Sequence, residues 1–396
     1  MKWEIAKLGD ISKNIQTGPF GSQLHQSDYS ECGIPVVMPK DLVGGKISEE
    51  SIARVDKTHV ERLCRHKIEV GDILYSRRGD VGRCAHVTKK EEGWLCGTGC
   101  LRVTIDSEKA DSRFVFFQLQ HPDTVGWVEK HAVGATMLNL NTTILSSVPI
   151  RLPALEIQKR IADILSVYDD LIENNQKQIK LLEEAAQRLY KEWFVDLRFP
   201  GHENTKIVDG VPEGWNEKTL SQVANVIMGQ SPKSEFYNSE KKGLPFHQGV
   251  GSYGVRFVMD DIYSTSYTRI AEPNSILFSV RAPVGRLNIT KSKVVIGRGL
   301  AAINQTDGCQ SYLYYLLKNR FFKDNIVGNG SIFASVSKDE LLNQKFLIPE
   351  RNLMMQFEKI VSQMDKQIEN LDSKNKKLIE ARDRLLPKLM SGEVEV

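Results

Sequence analysis

The strongest constraint on the fold of this chain is that its second half repeats its first half. Toward the end of each half the two copies align without a gap at an offset of 196 residues, as in Asp169 and Asp365. Further upstream the offset drifts, yet residues 71–83 still parallel residues 274–286. Matched blocks in the same order predict two copies of one structural unit. At 396 residues the chain is also too long for a single compact core.

The last part of each copy predicts a long coiled-coil helix. Apolar residues recur at alternating steps of four and three over more than four heptads, with charged residues between them. Pro153 and Pro349 lie just before these segments, and Phe199-Pro200-Gly201 and Pro387 are expected to end them. The predicted seam residues are Ile161, Leu165, Ile172, Asn175, Ile179, Leu182 and Leu189 in the first copy, and Val361, Ile368, Leu371, Asn375, Leu378 and Leu385 in the second.

The register of these helices can be predicted as well. A duplicated unit that packs on itself most simply uses a pseudo-two-fold axis, which makes the two helices antiparallel. Aligning the seams end to end brings Asn175 opposite Asn375, and paired Asn residues in an apolar seam fix register. The alternative is that one or both Asn side chains point to solvent at the edge of the seam. Such a rod would hold two similar domains about 50 Å apart, more than one DNA turn of ~34 Å.

Each copy begins with a variable, glycine-rich part that predicts a globular domain. Short apolar runs bounded by Gly, Pro, Asn and Asp are typical of strands joined by long loops, and residues 111–120 and 310–319 are helix candidates. The predicted fold class is α+β or mixed, with two similar α/β domains separated by two long helices in an antiparallel coiled coil. The predicted boundaries are 1–153 for the first domain, 154–197 for the first helix, 198–349 for a linker and the second domain, and 350–396 for the second helix and the C-terminal tail.

Equivalent loops of the two domains are rich in Arg and Lys, which indicates DNA binding. Residues 281–298 hold five Lys or Arg and no acid, and Arg offers bidentate contacts to phosphate and to guanine. Any one of these residues alone is better explained as solvated surface, but Arg78 recurs as Arg281 and Arg83 as Arg286, which favours function. The predicted DNA-binding residues are Gly18, Ser22, Lys40, Arg77, Arg78, Gly79, Arg83, Lys233, Arg281, Arg286 and Arg298.

No catalytic residue, cofactor site or metal site is predicted. The sequence holds no phosphate-binding loop, and no cluster of His, Cys and carboxylates recurs in both halves. Residues 249–254 match GxGxxG, but Pro-Phe-His-Gln rather than an apolar strand precedes them, so they are interpreted as a loop. The six cysteines lack metal-ligand spacing and predict free thiols in a reducing compartment. With no signal pattern and no apolar stretch long enough to span a bilayer, the chain is expected to be cytoplasmic, without membrane contact.

Four segments outside the basic loops are distinctive. They are residues 152–161 (LPALEIQKRI), 190–196 (YKEWFVD), 211–215 (VPEGW) and 385–392 (LLPKLMSG). Together they resemble the specificity (S) subunits of type I restriction–modification systems. The resemblance extends over nearly the whole chain and is specific.

The resemblance implies two target-recognition domains that each read one half of a split double-stranded DNA sequence. It implies that the coiled coil is a spacer and a docking surface for two modification (methyltransferase) subunits, through which restriction subunits join. This chain would then be the non-catalytic part of a restriction endonuclease and DNA adenine methyltransferase complex, and S-adenosylmethionine, ATP and Mg²⁺ would belong to its partners. The start of the second helix departs from the LEIQKRIA pattern of the first, which leaves open that partner docking differs between the two ends.

Two other classes of protein stay open at this point. A coiled-coil scaffold whose domains bind protein rather than DNA fits the net charge of +3, although the matched basic loops count against it. An enzyme that acts on DNA by itself would need a catalytic set, and none recurs in the two copies.

Overall fold

The computed structural model of the chain describes residues 3–134, 138–321 and 335–396. The chain divides into two compact units, of which unit 1 comprises Met1–Asn175 with Lys374–Val396 and unit 2 comprises Gln176–Ser373. Each unit therefore combines one globular domain with a part of both long helices. These units cut across the predicted boundaries, which assigned each helix to a segment of its own.

Unit 1 is built on a four-stranded antiparallel sheet with the order β2-β10-β7-β8, beside a three-stranded sheet with the order β6-β3-β9. Its strands are β1 (Glu4–Lys7), β2 (Ser12–Thr17), β3 (Ile34–Val37), β4 (Leu42–Val43), β5 (Lys46–Ile47), β6 (Ala53–Val55), β7 (Ile73–Ser76), β8 (Cys84–His86), β9 (Leu95–Cys96), β10 (Cys100–Ile105) and β11 (Pro149–Leu152). Its helices are α1 (Lys57–Arg62), α2 (Ser112–Gln120), α3 (Pro122–His131), α4 (Thr142–Ser146) and the first part of α5 (Leu155–Phe194).

Strand β7 explains where the core of unit 1 lies. All four of its residues are buried, because the strand is central in its sheet and covered on both faces. Its sequence therefore does not alternate between apolar and polar residues: the first three residues are apolar, and only the last, Ser76, is polar. Tyr75 from this strand and Phe114 from α2 are both fully buried in the same apolar cluster. The Asp111 side chain caps α2 by accepting hydrogen bonds from the amides of Arg113 and Phe114.

Unit 2 repeats this plan with a four-stranded sheet of order β15-β23-β20-β21 beside a five-stranded sheet of order β16-β18-β17-β22-β19. Its strands are β12 (Ile207–Val208), β13 (Val211–Pro212), β14 (Asn216–Thr219), β15 (Ala224–Met228), β16 (Tyr237–Asn238), β17 (Leu244–His247), β18 (Tyr263–Ser264), β19 (Ile270–Ala271), β20 (Ile276–Ser279), β21 (Leu287–Ile289), β22 (Val294–Ile296), β23 (Leu300–Gln305) and β24 (Lys345–Ile348). Its helices are α6 (Leu220–Val223), α7 (Gln310–Phe321), α8 (Lys338–Leu342) and the first part of α9 (Arg351–Ser391).

The duplication in the sequence is therefore present in the fold. The four-stranded sheets have the same strand order, β1 pairs with β11 as β14 pairs with β24, and the predicted aromatic helices are α2 and α7. The two domains differ in the second sheet, which has three strands in unit 1 and five in unit 2.

The long helices contact each other in opposite directions within each unit. In unit 1 the Asp169 carboxylate accepts a hydrogen bond from Arg382 at 2.6 Å, and further along α5 the predicted contact between Asn175 and Asn375 is present. In unit 2 the ring centroids of Trp193 and Phe357 lie 6.0 Å apart. Every predicted seam residue is buried or half-buried. Among the described residues, no helix combines the length and the apolar character needed to cross a membrane.

The expectation that Pro387 ends the second helix is wrong, because α9 continues through it to Ser391. A proline inside a helix loses one backbone hydrogen bond. Here the last turn is held by apolar packing instead, since Leu389 and Met390 are almost fully buried in the core of unit 1.

The GxGxxG segment needs a correction of another kind. A strand does precede it, because β17 ends at His247. The segment itself forms a single 3-10 turn, Val250–Ser252, and not the helix that a dinucleotide-binding motif opens. The interpretation as a loop holds, but for a different reason from the one that the sequence offered.

Candidate nucleic-acid interface

The turn between β7 and β8 carries four of the predicted DNA-binding residues of unit 1, which are Arg77, Arg78, Gly79 and Arg83. The Arg77 amide donates a hydrogen bond to the Gly99 carbonyl at 2.8 Å, which ties the turn to the start of β10. The Arg77 side chain is half-buried, donates to the Leu140 carbonyl at 3.2 Å and lies 5.7 Å from the ring centroid of Phe20. Arg77 therefore supports the turn through protein contacts.

Arg78 differs from Arg77 in being exposed to solvent. Among the described residues, nothing forms an ion pair or a hydrogen bond with its guanidinium group. The next residue, Gly79, has a φ of +75°, which glycine adopts without strain, and its amide donates to the Leu138 carbonyl at 3.1 Å. The turn thus fixes the backbone and leaves one cation free to contact a ligand.

Gly18 has a role in the framework of unit 1 that the sequence did not indicate, and its predicted contact with DNA stays a prediction. A Cβ atom at this position would lie 2.0 Å from the Gly97 carbonyl oxygen, so only glycine allows the two backbone segments to approach. The Gly18 amide donates to the Cys100 carbonyl at 2.9 Å and is not available to a phosphate. Close packing therefore explains this glycine.

The other predicted residues of unit 1 are exposed and differ in their contacts. Lys40 donates to the Ser51 carbonyl at 2.7 Å, and Arg83 pairs with Asp80 at 2.6 Å. Ser22 is exposed. Exposed ion pairs contribute about 0–1 kcal/mol, so the Arg83–Asp80 pair costs little to exchange for a contact with a phosphate.

In unit 2, two of the predicted arginines lie on one depression of about 140 Å³. Arg281 follows β20 just as Arg78 follows β7, and Arg298 lies before β23. Both are exposed, and neither guanidinium group has a protein partner within the described part of the chain. Gln248 lies on the same depression, at the end of β17.

The remaining predicted residues of unit 2 lie apart from this depression. Arg286 is half-buried and lines a second depression with Tyr314 and Lys318. It is the counterpart of Arg83, because the Ser76 amide donates to the Arg83 carbonyl at 2.8 Å and the Ser279 amide to the Arg286 carbonyl at 2.9 Å.

Lys233 is exposed and pairs with Glu235 at 3.8 Å. The basic segment 281–298 is also less basic than its sequence suggests. Lys291 donates to Asp372 at 2.6 Å and Lys293 pairs with Glu272 at 3.2 Å, so acids from elsewhere in the chain neutralise both.

His247 is a structural residue of this region that the sequence did not single out. It is fully buried, with Nδ1 2.9 Å from the Ser252 hydroxyl and Nε2 3.2 Å from the Asp260 carboxylate. The Ser252 hydroxyl also lies 3.2 Å from the Gly249 carbonyl and can donate to it. The group therefore holds the loop after β17, and unit 1 has Val37 in place of His247.

A buried arginine in unit 2 has a structural role. Arg256 contacts Glu183 of α5 at 3.3 Å, the Tyr315 hydroxyl at 3.0 Å and Asp365 of α9. Burial alone would lower the pKa of Arg256. The electrostatic effect of Tyr314, Tyr315 and the two carboxylates outweighs that of burial, so the pKa of Arg256 is raised. Arg256 therefore attaches the domain of unit 2 to the helix segments of that unit.

Four of the cysteine thiols are buried. Burial raises the pKa of the Cys84 and Cys96 thiols to about 12 and that of Cys309 to about 11, so all three are protonated near neutrality. Within the described ranges, no group of three or more His, Cys, Asp or Glu residues is placed to hold a metal ion.

The repeated units match one family of proteins. The family model for the type I restriction modification DNA specificity domain matches residues 1–184 and again residues 212–381. The chain belongs to this family. The two matches correspond to the two copies in the sequence, and they confirm the resemblance to type I specificity subunits.

Relatives and a solved structure agree with this family. The chain is 29% identical over 405 residues to a putative type I restriction enzyme MjaX specificity subunit from Methanocaldococcus jannaschii, covering 100% of this chain and 94% of the relative. It is 24% identical over 472 residues to the type I restriction enzyme HindI specificity subunit from Haemophilus influenzae, covering 99% of each. The crystal structure of a type I restriction–modification S subunit from M. genitalium shares the fold, with a TM-score of 0.62 and 19% identity over 98% of this chain and 96% of that one.

Proposed function

We propose that this specificity-family chain recognises a split double-stranded DNA sequence, with each unit reading one half, and directs methyltransferase and restriction subunits to it. The observation that carries the proposal is the recurrence of one exposed arginine. Arg78 and Arg281 follow corresponding strands in the two units, and neither guanidinium group has a partner among the described residues. A free guanidinium group on a fixed turn suits bidentate contact with guanine or phosphate.

The helices supply the second part of the proposal, which is that α5 and α9 form an antiparallel coiled coil that spaces the two domains. Each helix contributes residues to both units, which supports this role. The Asn175–Asn375 pair supports a fixed register.

We further propose that the outer surfaces of these helices dock two methyltransferase subunits, and that restriction subunits join through them. Val167 and Leu171, one turn apart on α5, are 56% and 45% exposed, and Leu181 is 64% exposed. Apolar side chains on the surface of a helix favour a partner protein. The positions that correspond to Val167 and Leu171 in α9 are Gln363 and Gln367, so the two docking surfaces are expected to differ.

The chemistry is assigned to the partners. S-adenosylmethionine, ATP and Mg²⁺ would bind to the methyltransferase and restriction subunits, and this chain would position them on DNA without catalysis of its own. The purified chain should then transfer no methyl group to DNA from S-adenosylmethionine until the methyltransferase is added. Methylation by the chain alone would contradict this assignment.

The decisive experiment maps methylated bases across the genome with and without this chain. A split motif should disappear when the gene is inactivated and return when it is restored. Loss of a continuous motif, or no loss at all, would contradict the proposal.

Duplex binding by the complex should also weaken steeply with salt, because each neutralised phosphate releases counterions. A scaffold that binds only protein would show neither effect, and the family relationship does not favour it.

A further inference from the structure

The two units hold their arginine turns on the same backbone frame. In unit 1 the Gly97 amide donates to the Val37 carbonyl at 2.9 Å, and in unit 2 the Gly297 amide donates to the His247 carbonyl at 2.8 Å. Gly229 matches Gly18, since a Cβ atom there would lie 2.1 Å from the Gly297 carbonyl oxygen. These recurring contacts identify equivalent positions in the two units.

The shared frame identifies which side chains correspond. Met38 follows Val37 in unit 1 as Gln248 follows His247 in unit 2. Thr98 lies in the sequence Gly-Thr-Gly of unit 1, and Arg298 takes its place in the Gly-Arg-Gly of unit 2. Two equivalent positions on the loops beside the recurring arginine therefore carry different chemistry in the two units.

In unit 2 these positions are polar and free. The Gln248 side chain is exposed and has no hydrogen-bond partner among the described residues, and it shares the depression with Arg281 and Arg298. Its backbone is fixed, because the Gly299 amide donates to the Gln248 carbonyl at 3.2 Å and the preceding His247 is clamped to Ser252. An amide on a fixed backbone, in one depression with two free cations, can read the edge of a base.

In unit 1 the same positions offer no free hydrogen-bonding group. Met38 is half-buried and packs against an apolar cluster that contains Val36 and Leu95. The Thr98 hydroxyl donates to the Pro19 carbonyl at 2.9 Å. Arg78 is therefore the free polar group at this point of unit 1.

We infer that Gln248 is a specificity-determining residue, and that it reads an adenine in the half-site of unit 2. The reason is chemical: a glutamine amide donates to N7 and accepts from the N6 amino group of adenine, while Arg pairs with O6 and N7 of guanine. The inference rests on the proposed function. It predicts a half-site for unit 2 in which an adenine adjoins a guanine that Arg281 or Arg298 contacts.

The test is the Gln248→Met variant in the assembled complex. This substitution installs the residue of unit 1, keeps the size of the side chain and removes the amide. In the methylated motif one adenine of one half-site should become degenerate, while the other half-site stays unchanged. In competition binding, discrimination against the other bases at that position should fall by roughly 5- to 100-fold.

The matched control is Lys242→Met, an exposed residue of unit 2 that pairs with Glu240 and does not line the depression. It should leave the motif as it is. The unchanged half-site in the Gln248→Met complex serves as an internal control for the folding of unit 1 and for assembly of the complex.

The outcomes separate the inference from the function on which it rests. Absence of any split motif with the unaltered chain would overturn the proposed function itself. If the split motif is present and Gln248→Met leaves it intact, or weakens both half-sites equally, then Gln248 reads no base and the inference is wrong while the function stands. Degeneracy at a position other than adenine would also overturn it.

Discussion

Asn175 donates a side-chain hydrogen bond from Nδ2 to Oδ1 of Asn375, over 2.7 Å, where α5 and α9 meet in unit 1. Both residues are more than nine-tenths buried in an otherwise apolar seam. A buried amide costs free energy unless it is paired, so each Asn is tolerated because the other is opposite. A one-residue slip of either helix would separate them, which makes the pair a determinant of register.

We expect Asn175→Leu alone to lower the free energy of unfolding by about 1–3 kcal/mol, because it leaves the Asn375 amide buried without its partner. The double variant with Asn375→Leu should recover most of that loss, since it restores an apolar seam. Urea unfolding of the single and double variants measures the coupling. Asn174→Leu, at an exposed position on the same helix, is the control and should be nearly neutral. Losses that simply add in the double variant would contradict the pairing.

The seam could be predicted from sequence because its signal is periodic and local. Apolar residues at steps of four and three identify the face of each helix, and the duplication then gives the direction and the register. These two facts predict that Asn175 lies opposite Asn375 but leave open that either side chain points to solvent, and the hydrogen bond between the two decides for the contact. The end of α9 could not be predicted in this way, because the burial of Leu389 in the core of unit 1 outweighs the effect of Pro387.

The candidate site could be predicted only in part, because its contacts join residues far apart in sequence. The sequence 281–298 contains no acid, yet Lys291 pairs with Asp372, 81 residues away. Gly18 is predicted to contact DNA, but the close approach of the Gly97 carbonyl, which requires glycine at this position, is not visible in the sequence. Gln248 carries no charge and no motif, so only the depression that it lines with Arg281 and Arg298 distinguishes it from solvated surface.

A second prediction concerns Arg256, which contacts both Glu183 and Asp365 inside unit 2. We expect Arg256→Met to lower the free energy of unfolding by about 2–4 kcal/mol near pH 7, because it leaves two half-buried carboxylates without their counter-charge. Chemical unfolding measures this loss. Arg384→Met, which removes an exposed pair with Glu380, should cost no more than about 1 kcal/mol.

The loss of stability in Arg256→Met should also depend on pH. Burial raises the pKa of Asp365, and Arg256 opposes that rise, so its removal raises the pKa further. A carboxyl group whose folded pKa exceeds its unfolded pKa favours the folded state as the pH falls through the folded value. The difference in stability between the variant and the native protein should therefore shrink on acidification from pH 7. A difference that stays constant or grows would contradict this account of Asp365.

A third prediction tests the shared frame. Gly18→Ala and Gly229→Ala each place a Cβ atom about 2 Å from a carbonyl oxygen, so each should displace the backbone of one unit and cost about 1–3 kcal/mol. Each should impair one half-site more than the other in competition binding. Gly21→Ala and Gly251→Ala are matched controls in the two units, because a Cβ atom at either position meets nothing within 4 Å. Equal effects of all four variants would show that the close approach is not what requires glycine.

The fourth prediction concerns the recurring arginines. We expect Arg78→Ala to impair recognition of one half-site and Arg281→Ala that of the other, each by about 1–3 kcal/mol for the cognate base. Competition binding with duplexes altered in one half-site at a time measures the effect. Lys13→Ala is the control for unit 1, because this exposed lysine pairs with Asp106 and is not among the predicted DNA-binding residues.

Salt dependence decides between the two kinds of contact that these arginines can make. A base contact gives a loss confined to one half-site and one base. A phosphate contact weakens every duplex alike and reduces the slope of log affinity against log salt by about one. If both variants behave in the second way, Arg78 and Arg281 only position the units on DNA. The difference between the half-sites must then come from residues that differ between the units, among which Gln248 and Arg298 stand beside Arg281.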